Sequence, residues 1–80
     1  MNTYELQHTA TCPNGNLVDL YEIKIESPKP IQVEALIQAL EDSPKSIYQE
    51  DLTDWLRSRI PARITTVGIH HGVRITCVRD

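Results

Sequence analysis

From Thr3 to Cys12 the chain alternates. Tyr4, Leu6, His8, Ala10 and Cys12 fall on one parity and Thr3, Glu5, Gln7, Thr9 and Thr11 on the other, the period-2 pattern of a strand with one buried face. After Pro13-Asn14-Gly15-Asn16 the alternation resumes, with Leu17, Tyr21, Ile23 and Ile25 on one face and Glu22, Lys24 and Glu26 on the other. Asn14-Gly15 supplies residues that accept positive φ, so the two strands are predicted to form a hairpin. Past Ser27-Pro28-Lys29-Pro30 the period changes: Val33, Leu36, Ile37 and Leu40 recur at the spacings that line one side of a helix, predicted over Ile31 to Glu41. Ser46-Ile47-Tyr48-Gln49 has the form of a capping box, with Ser46 set to accept from the Gln49 amide. Leu52, Trp55, Leu56 and Arg59 or Ile60 continue as the buried stripe of a second helix, which Pro61 stops. Ile64, Val67 and Ile69, then Val73, Ile75 and Cys77, read as two further strands joined at His71-Gly72.

The predicted order is therefore ββααββ. Hairpins pair consecutive strands antiparallel, and each strand has one apolar face to cover. The expected architecture is an α+β sandwich: a four-stranded antiparallel sheet with both helices on one face. A ferredoxin-like alternation would need a helix between the first two strands, where only a turn exists.

Eighty residues with no internal linker point to one domain, residues 1–80. The formal net charge of −3 gives no broad positive field for phosphates, which argues against nucleic acid as a partner. The longest apolar run is Ala35-Leu36-Ile37 and no secretory stretch opens the chain, so the expectation is a cytoplasmic protein without a membrane segment. Two cysteines, Cys12 and Cys77, are too few for a disulfide scaffold and suit a reducing compartment. A chain this short buries only about 60–65% of its unfolded surface, which favours sharing a core with further copies, and a homo-oligomer is expected.

Candidate chemistry gathers at the first hairpin. Cys12 ends the first strand and Asp19 lies near the start of the second, on the parity of Tyr21 and Ile23. A carboxyl in that apolar row either caps the turn or is kept for its acid function; Cys12 is either a small buried hydrophobe or a nucleophile. Glu50 and Asp51 open the second helix, where the macrodipole stabilises carboxylates, and Glu34 stands one step off the apolar stripe of the first. His70 and His71 are adjacent and so point to opposite faces of a strand, and no metal site is expected. Arg57, Arg59 and Arg63, with Lys29 and Lys45, are solvated charges or a phosphate clamp. No GxxxxGK[ST], GxGxxG, HExxH or GxSxG motif occurs.

Together these pieces resemble a known pattern. Thr11-Cys12-Pro13-Asn14-Gly15-Asn16-Leu17-Val18-Asp19, Val33-Glu34, Gln49-Glu50-Asp51 and Val67-Gly68 are similar in order and spacing to the 7-cyano-7-deazaguanine reductases of queuosine biosynthesis, members of the tunnelling-fold (T-fold) superfamily. Gln49-Glu50-Asp51-Leu52-Thr53 is similar to the Gln-Glu-Arg-Leu-Thr run of GTP cyclohydrolase I, which shares the ββααββ unit. The resemblance implies that Cys12 attacks a nitrile to give a thioimide and that Asp19 protonates the nitrogen. It implies that Glu50 anchors a purine-like or pterin-like ring, that Glu34 is a second ligand-facing acid, and that the ligand sits between subunits. It also implies NADPH as a possible cofactor, yet where the reductases carry Ser-Lys-Ser-Leu-Lys this chain reads Ala35-Leu36-Ile37-Gln38, and Gln49 replaces their His. The zinc segment of the cyclohydrolase is absent. A catalytically silent binding module of the same fold, or an unrelated α+β domain that meets its partner through a sheet edge, stays open.

Overall fold

A computed structural model describes residues 1–80. β1 (Asn2–Thr11), β2 (Val18–Ser27), α1 (Val33–Glu41), α2 (Gln49–Arg59), β3 (Arg63–His70) and β4 (Val73–Arg79) follow in the expected order, and the strands form one antiparallel sheet ordered β1-β2-β3-β4. No helix is long and apolar enough to cross a membrane.

The two hairpins close where turn-forming residues stand. Between β1 and β2, Cys12 N–H donates to the Leu17 carbonyl at 2.7 Å and Asn16 N–H to that of Cys12 at 3.1 Å. The positive φ values fall on Gly15 (112°) and Asn16 (60°), one step later than Asn14-Gly15. Between β3 and β4, His71 (φ 50°) and Gly72 (φ 80°) make the expected two-residue turn, whose twist matches that of the flanking strands.

Register assigns the faces. Tyr4↔Ile25, Leu6↔Ile23 and His8↔Tyr21 pair across β1 and β2, and Ile25↔Ile64 and Ile23↔Thr66 across β2 and β3. This face lies under the helices and supplies Tyr21, Ile23, Ile25 and Ile64 to a core completed by Leu36, Ala39, Leu40, Leu52, Leu56 and Ile60. The other face, with Val18, Leu20, Val67 and Ile69, has no covering layer.

Three local expectations are corrected. The covered parity of β3 is Ile64, Thr66 and Gly68, whereas Val67 and Ile69 point to the open face; Ile64, Val67 and Ile69 do not share a parity, and the sheet follows Ile64 because Thr66 and Gly68 receive α2 and the Tyr21 ring. On α1, Val33 and Ile37 are about half exposed, while Ala39 joins Leu36 and Leu40 in the core. The small Ala39 admits Trp55 of α2, whose indole N–H donates to the Ala39 carbonyl at 2.9 Å.

The capping box also does not form. The N-cap of α2 is Tyr48, without a side-chain cap, because the segment before it is stitched along β1: Thr11 N–H donates to the Lys45 carbonyl at 2.8 Å and Ile47 N–H to that of Thr11 at 3.0 Å. Gln49 then turns inward. Its amide nitrogen donates to the Thr66 carbonyl and hydroxyl, each at 3.2 Å, and to the Ile75 carbonyl at 3.0 Å. Thr53 closes the network, 2.7 Å from the Thr66 hydroxyl and donating to the Gln49 carbonyl at 2.8 Å. The two amide hydrogens are thus shared among three acceptors of the sheet.

Candidate functional site

Cys12 stands just beyond β1, as the first residue of the turn. Asp19 pairs with Ala10, and Cys12 follows Ala10 by two residues, at the mouth of the same hairpin. The Cys12 thiol is partly exposed and lies 3.5 Å from the Asn14 carbonyl, whereas Cys77 is buried. Asp19 is mostly shielded, its side chain retaining 13% of its exposure.

Two side chains converge on one oxygen of Asp19. The Tyr21 hydroxyl donates to Oδ2 at 3.5 Å, and His70 Nε2 stands 3.7 Å from the same atom. The rings of Tyr21 and His70 are tilted at 45° with centroids 6.4 Å apart. Burial, then the negative charge of Asp19 and of an ionised Cys12, push the Tyr21 phenol up to about 12, so it stays a neutral donor at physiological pH.

These groups meet because the sheet opens here. The β2–β3 ladder runs from Glu26↔Arg63 only to Glu22↔Val67, and beyond it Val18–Tyr21 and Gly68–His70 face one another unpaired. On the uncovered face a cavity of about 400 Å³ lies at this split, lined by Val18, Asp19, Leu20, Val67, Gly68 and Ile69, with Glu22 and Arg74 at its side; of the candidate groups only Asp19 borders it. That volume lies within the range of small-molecule sites. Tyr21 packs over Gly68, where an added Cβ would sit 2.7 Å from the ring. Glycine is required there by close approach.

Gln49 reaches the same place from α2. Its amide oxygen is buried without a partner and faces Gly68, 3.2 Å from where a Cβ would lie. Because Gln49 marks the start of α2 against Thr66 and Ile75, Glu50 stands at this end of the sheet, solvent-exposed in the first helical turn. Glu34 does not. It opens α1, whose approach is tied to the start of β1 by the Ile31 N–H bond to the Tyr4 hydroxyl at 2.8 Å, and Tyr4 lies about 26 Å along the strand from Cys12. The structure thus brings Cys12, Asp19 and the N-terminus of α2 to one end and leaves exposed Glu34 at the other.

His8, the cross-strand partner of Tyr21, is half-buried, and its pKa is lowered from 6.5 by burial first and then by the Lys45 charge. No three His, Cys, Asp or Glu side chains gather closely enough to hold a metal ion. Tyr21 read from the sequence as core and His70 as half of an unpromising histidine pair. One signal for Tyr21 exists, since it stands two residues after Asp19 on the same strand parity; nothing local marks His70.

No protein-family model and no curated protein matches the chain by sequence. Among solved structures, it is similar to an archaeosine synthase QueF-like protein in its apo form, with a TM-score of 0.84 over 98% of this chain and 89% of that one, at 16% identity. A likeness at that identity shows the fold: the chain adopts the ββααββ architecture that its resemblance to the 7-cyano-7-deazaguanine reductases implied.

Proposed function

We propose that this chain binds a 7-deazapurine-like base carrying a nitrile and captures it as a thioimide on Cys12. The observation that carries the reading is the placement of a partly exposed thiol and a shielded carboxylate at the mouth of one hairpin, with the segment leading into α2 bonded along the same end of β1. Asp19 takes the thiol proton as sulfur attacks the nitrile carbon and passes it to the nitrile nitrogen. One S–H bond and one C–N π bond are lost while one S–C and one N–H bond form, and no oxidant or reductant is needed for this step. Glu50 accepts two parallel N–H donors from the guanine-like edge of the ring.

Reduction of the thioimide would need a hydride donor. The Ala35–Gln38 stretch of α1 offers no cation where the reductases carry lysines, so NADPH is not assigned. The fold shared with an archaeosine synthase QueF-like protein supports a deazapurine ligand. Glu34 takes part only if a second copy presents it, in keeping with a homo-oligomer whose ligand sits between subunits. Two sheet edges, β1 and β4, offer the surfaces for such joining.

Alkylation tests the reading. At neutral pH iodoacetamide should modify Cys12 well before Cys77, and 7-cyano-7-deazaguanine should protect Cys12. Equal labelling of both thiols, or no protection at millimolar ligand, would refute it.

A further inference from the structure

We propose that His70 is a positioning residue for Asp19, holding its carboxylate so that one oxygen is kept free to carry the proton between Cys12 and the nitrile nitrogen. The inference rests on the thioimide chemistry proposed above.

Both polar neighbours of Asp19 act on the same atom. The Tyr21 hydroxyl at 3.5 Å and His70 Nε2 at 3.7 Å approach Oδ2, and Oδ1 receives no hydrogen bond. A carboxylate with a hydroxyl donor and an imidazole both set at one oxygen, the second contact an ion pair when His70 is protonated, has less freedom about its χ2 bond, which is otherwise soft and roughly two-fold. The remaining oxygen then points in a fixed direction for proton transfer, a step that depends on hydrogen-bond reach. Catalytic hydrogen bonds commonly tighten as a substrate complex forms.

The backbone is arranged to permit this grip. A continued β2–β3 ladder would set Asp19 opposite His70 as an ordinary cross-strand pair; instead the ladder stops at Glu22↔Val67, so the side chains alone bridge the split. His70 is held from the other side, paired to Val73 and followed at once by the His71-Gly72 turn. Its ring is 27% exposed at the side chain and stands against Tyr21, which leaves Nε2 directed at Asp19. Tyr21, locked over Gly68, supplies the second, fixed donor. His71, its neighbour in sequence, stands exposed in the turn.

The test is single-turnover formation of the thioimide, followed by rapid-quench mass spectrometry with 7-cyano-7-deazaguanine. Ring binding is measured separately by calorimetry with 7-deazaguanine, which has no nitrile. His70→Phe keeps a planar ring and removes the donor; its maximal adduct rate should fall by roughly tenfold or more, the scale of misplaced proton transfer, with affinity for 7-deazaguanine unchanged. His70→Gln, whose amide N–H reaches the place of Nε2, should restore the rate to within about threefold of the original. His70→Leu offers a second variant should His70→Phe fold poorly, and it should slow the adduct in the same way. An unchanged rate in His70→Phe would overturn the inference, as would a His70→Gln rate as low as that of His70→Phe, since the ring would then matter and not its donor. If the unmutated protein forms no adduct, the thioimide reading falls and this inference with it. If the unmutated protein reacts and His70→Phe reacts equally fast, only the inference falls.

Discussion

The covered face of the sheet has two ends built on opposite principles. At the end near Tyr4, aliphatic side chains meet aliphatic side chains: Ile25 pairs with Ile64, and Ile60 closes α2 above them, all at 3% exposure or less. At the end near the hairpin mouth the same parity carries Cys12, Asp19, Tyr21 and His70, and the ladder between β2 and β3 is left open. The first end stabilises by area removed from water, about 25 cal/mol per Å². The second gives up backbone pairing and places titratable groups where apolar ones would pack. Concessions of this kind cluster at functional sites, so the contrast marks the end at which chemistry is expected.

The sharpest way to break the contrast is to exchange the roles of the ends. Leu56→Ala, at a site with no exposure, should cost about 2–5 kcal/mol of stability, whereas Asp19→Asn should leave chemical denaturation nearly unchanged and abolish adduct formation. Equal destabilisation by both would mean that the polar end is part of the core.

Glu50→Gln should weaken binding of 7-deazaguanine by about 1.5–3 kcal/mol, the size of a hydrogen bond to a charged group. Its stability cost should be limited to about 0.3–1 kcal/mol from the lost helix-dipole interaction. Calorimetry and thermal melts on the same preparations separate the two; a melting shift with intact binding would assign Glu50 to the helix alone.

Gly68→Ala should cost about 1–3 kcal/mol, because the new Cβ would lie 2.7 Å from the Tyr21 ring in a packed interior. Displacing Tyr21 also removes a donor from Asp19, so adduct formation should slow in parallel. A stable variant with an unchanged rate would contradict the placement of Tyr21.

The smallest effect concerns pH. His8 has a folded pKa lowered from 6.5, by burial and then by Lys45, so the unfolded chain binds its proton first. The stability tied to its neutral form is complete above pH 6.5 and is lost as pH falls through the lowered folded value. His8→Gln should flatten that part of the stability profile in urea titrations between pH 7 and 5, and an unchanged slope would assign it to other groups.

Much of the fold was legible because alternation and helical spacing act locally: Tyr4 to Cys12, Tyr21 to Ile25 and the His71-Gly72 turn declare themselves within a few residues. Cys12 and Asp19 were legible for the same reason, being members of one hairpin. Long-range competition hid the rest. Ser46 lost its cap because Lys45 and Ile47 bond to Thr11, and Gln49 was drawn into the sheet by Thr66 and Ile75. The pairing of His70 with Asp19 depends on where a ladder ends, which no window along the chain reveals.

The central claim is that the hairpin thiol captures a nitrile. Intact-mass measurement of the protein after incubation with 7-cyano-7-deazaguanine tests it most directly. The expected result is a gain of one ligand mass, mapped to Cys12 by peptide fragmentation and absent in Cys12→Ala; an unshifted mass at millimolar ligand, or an adduct that survives Cys12→Ala, would contradict it.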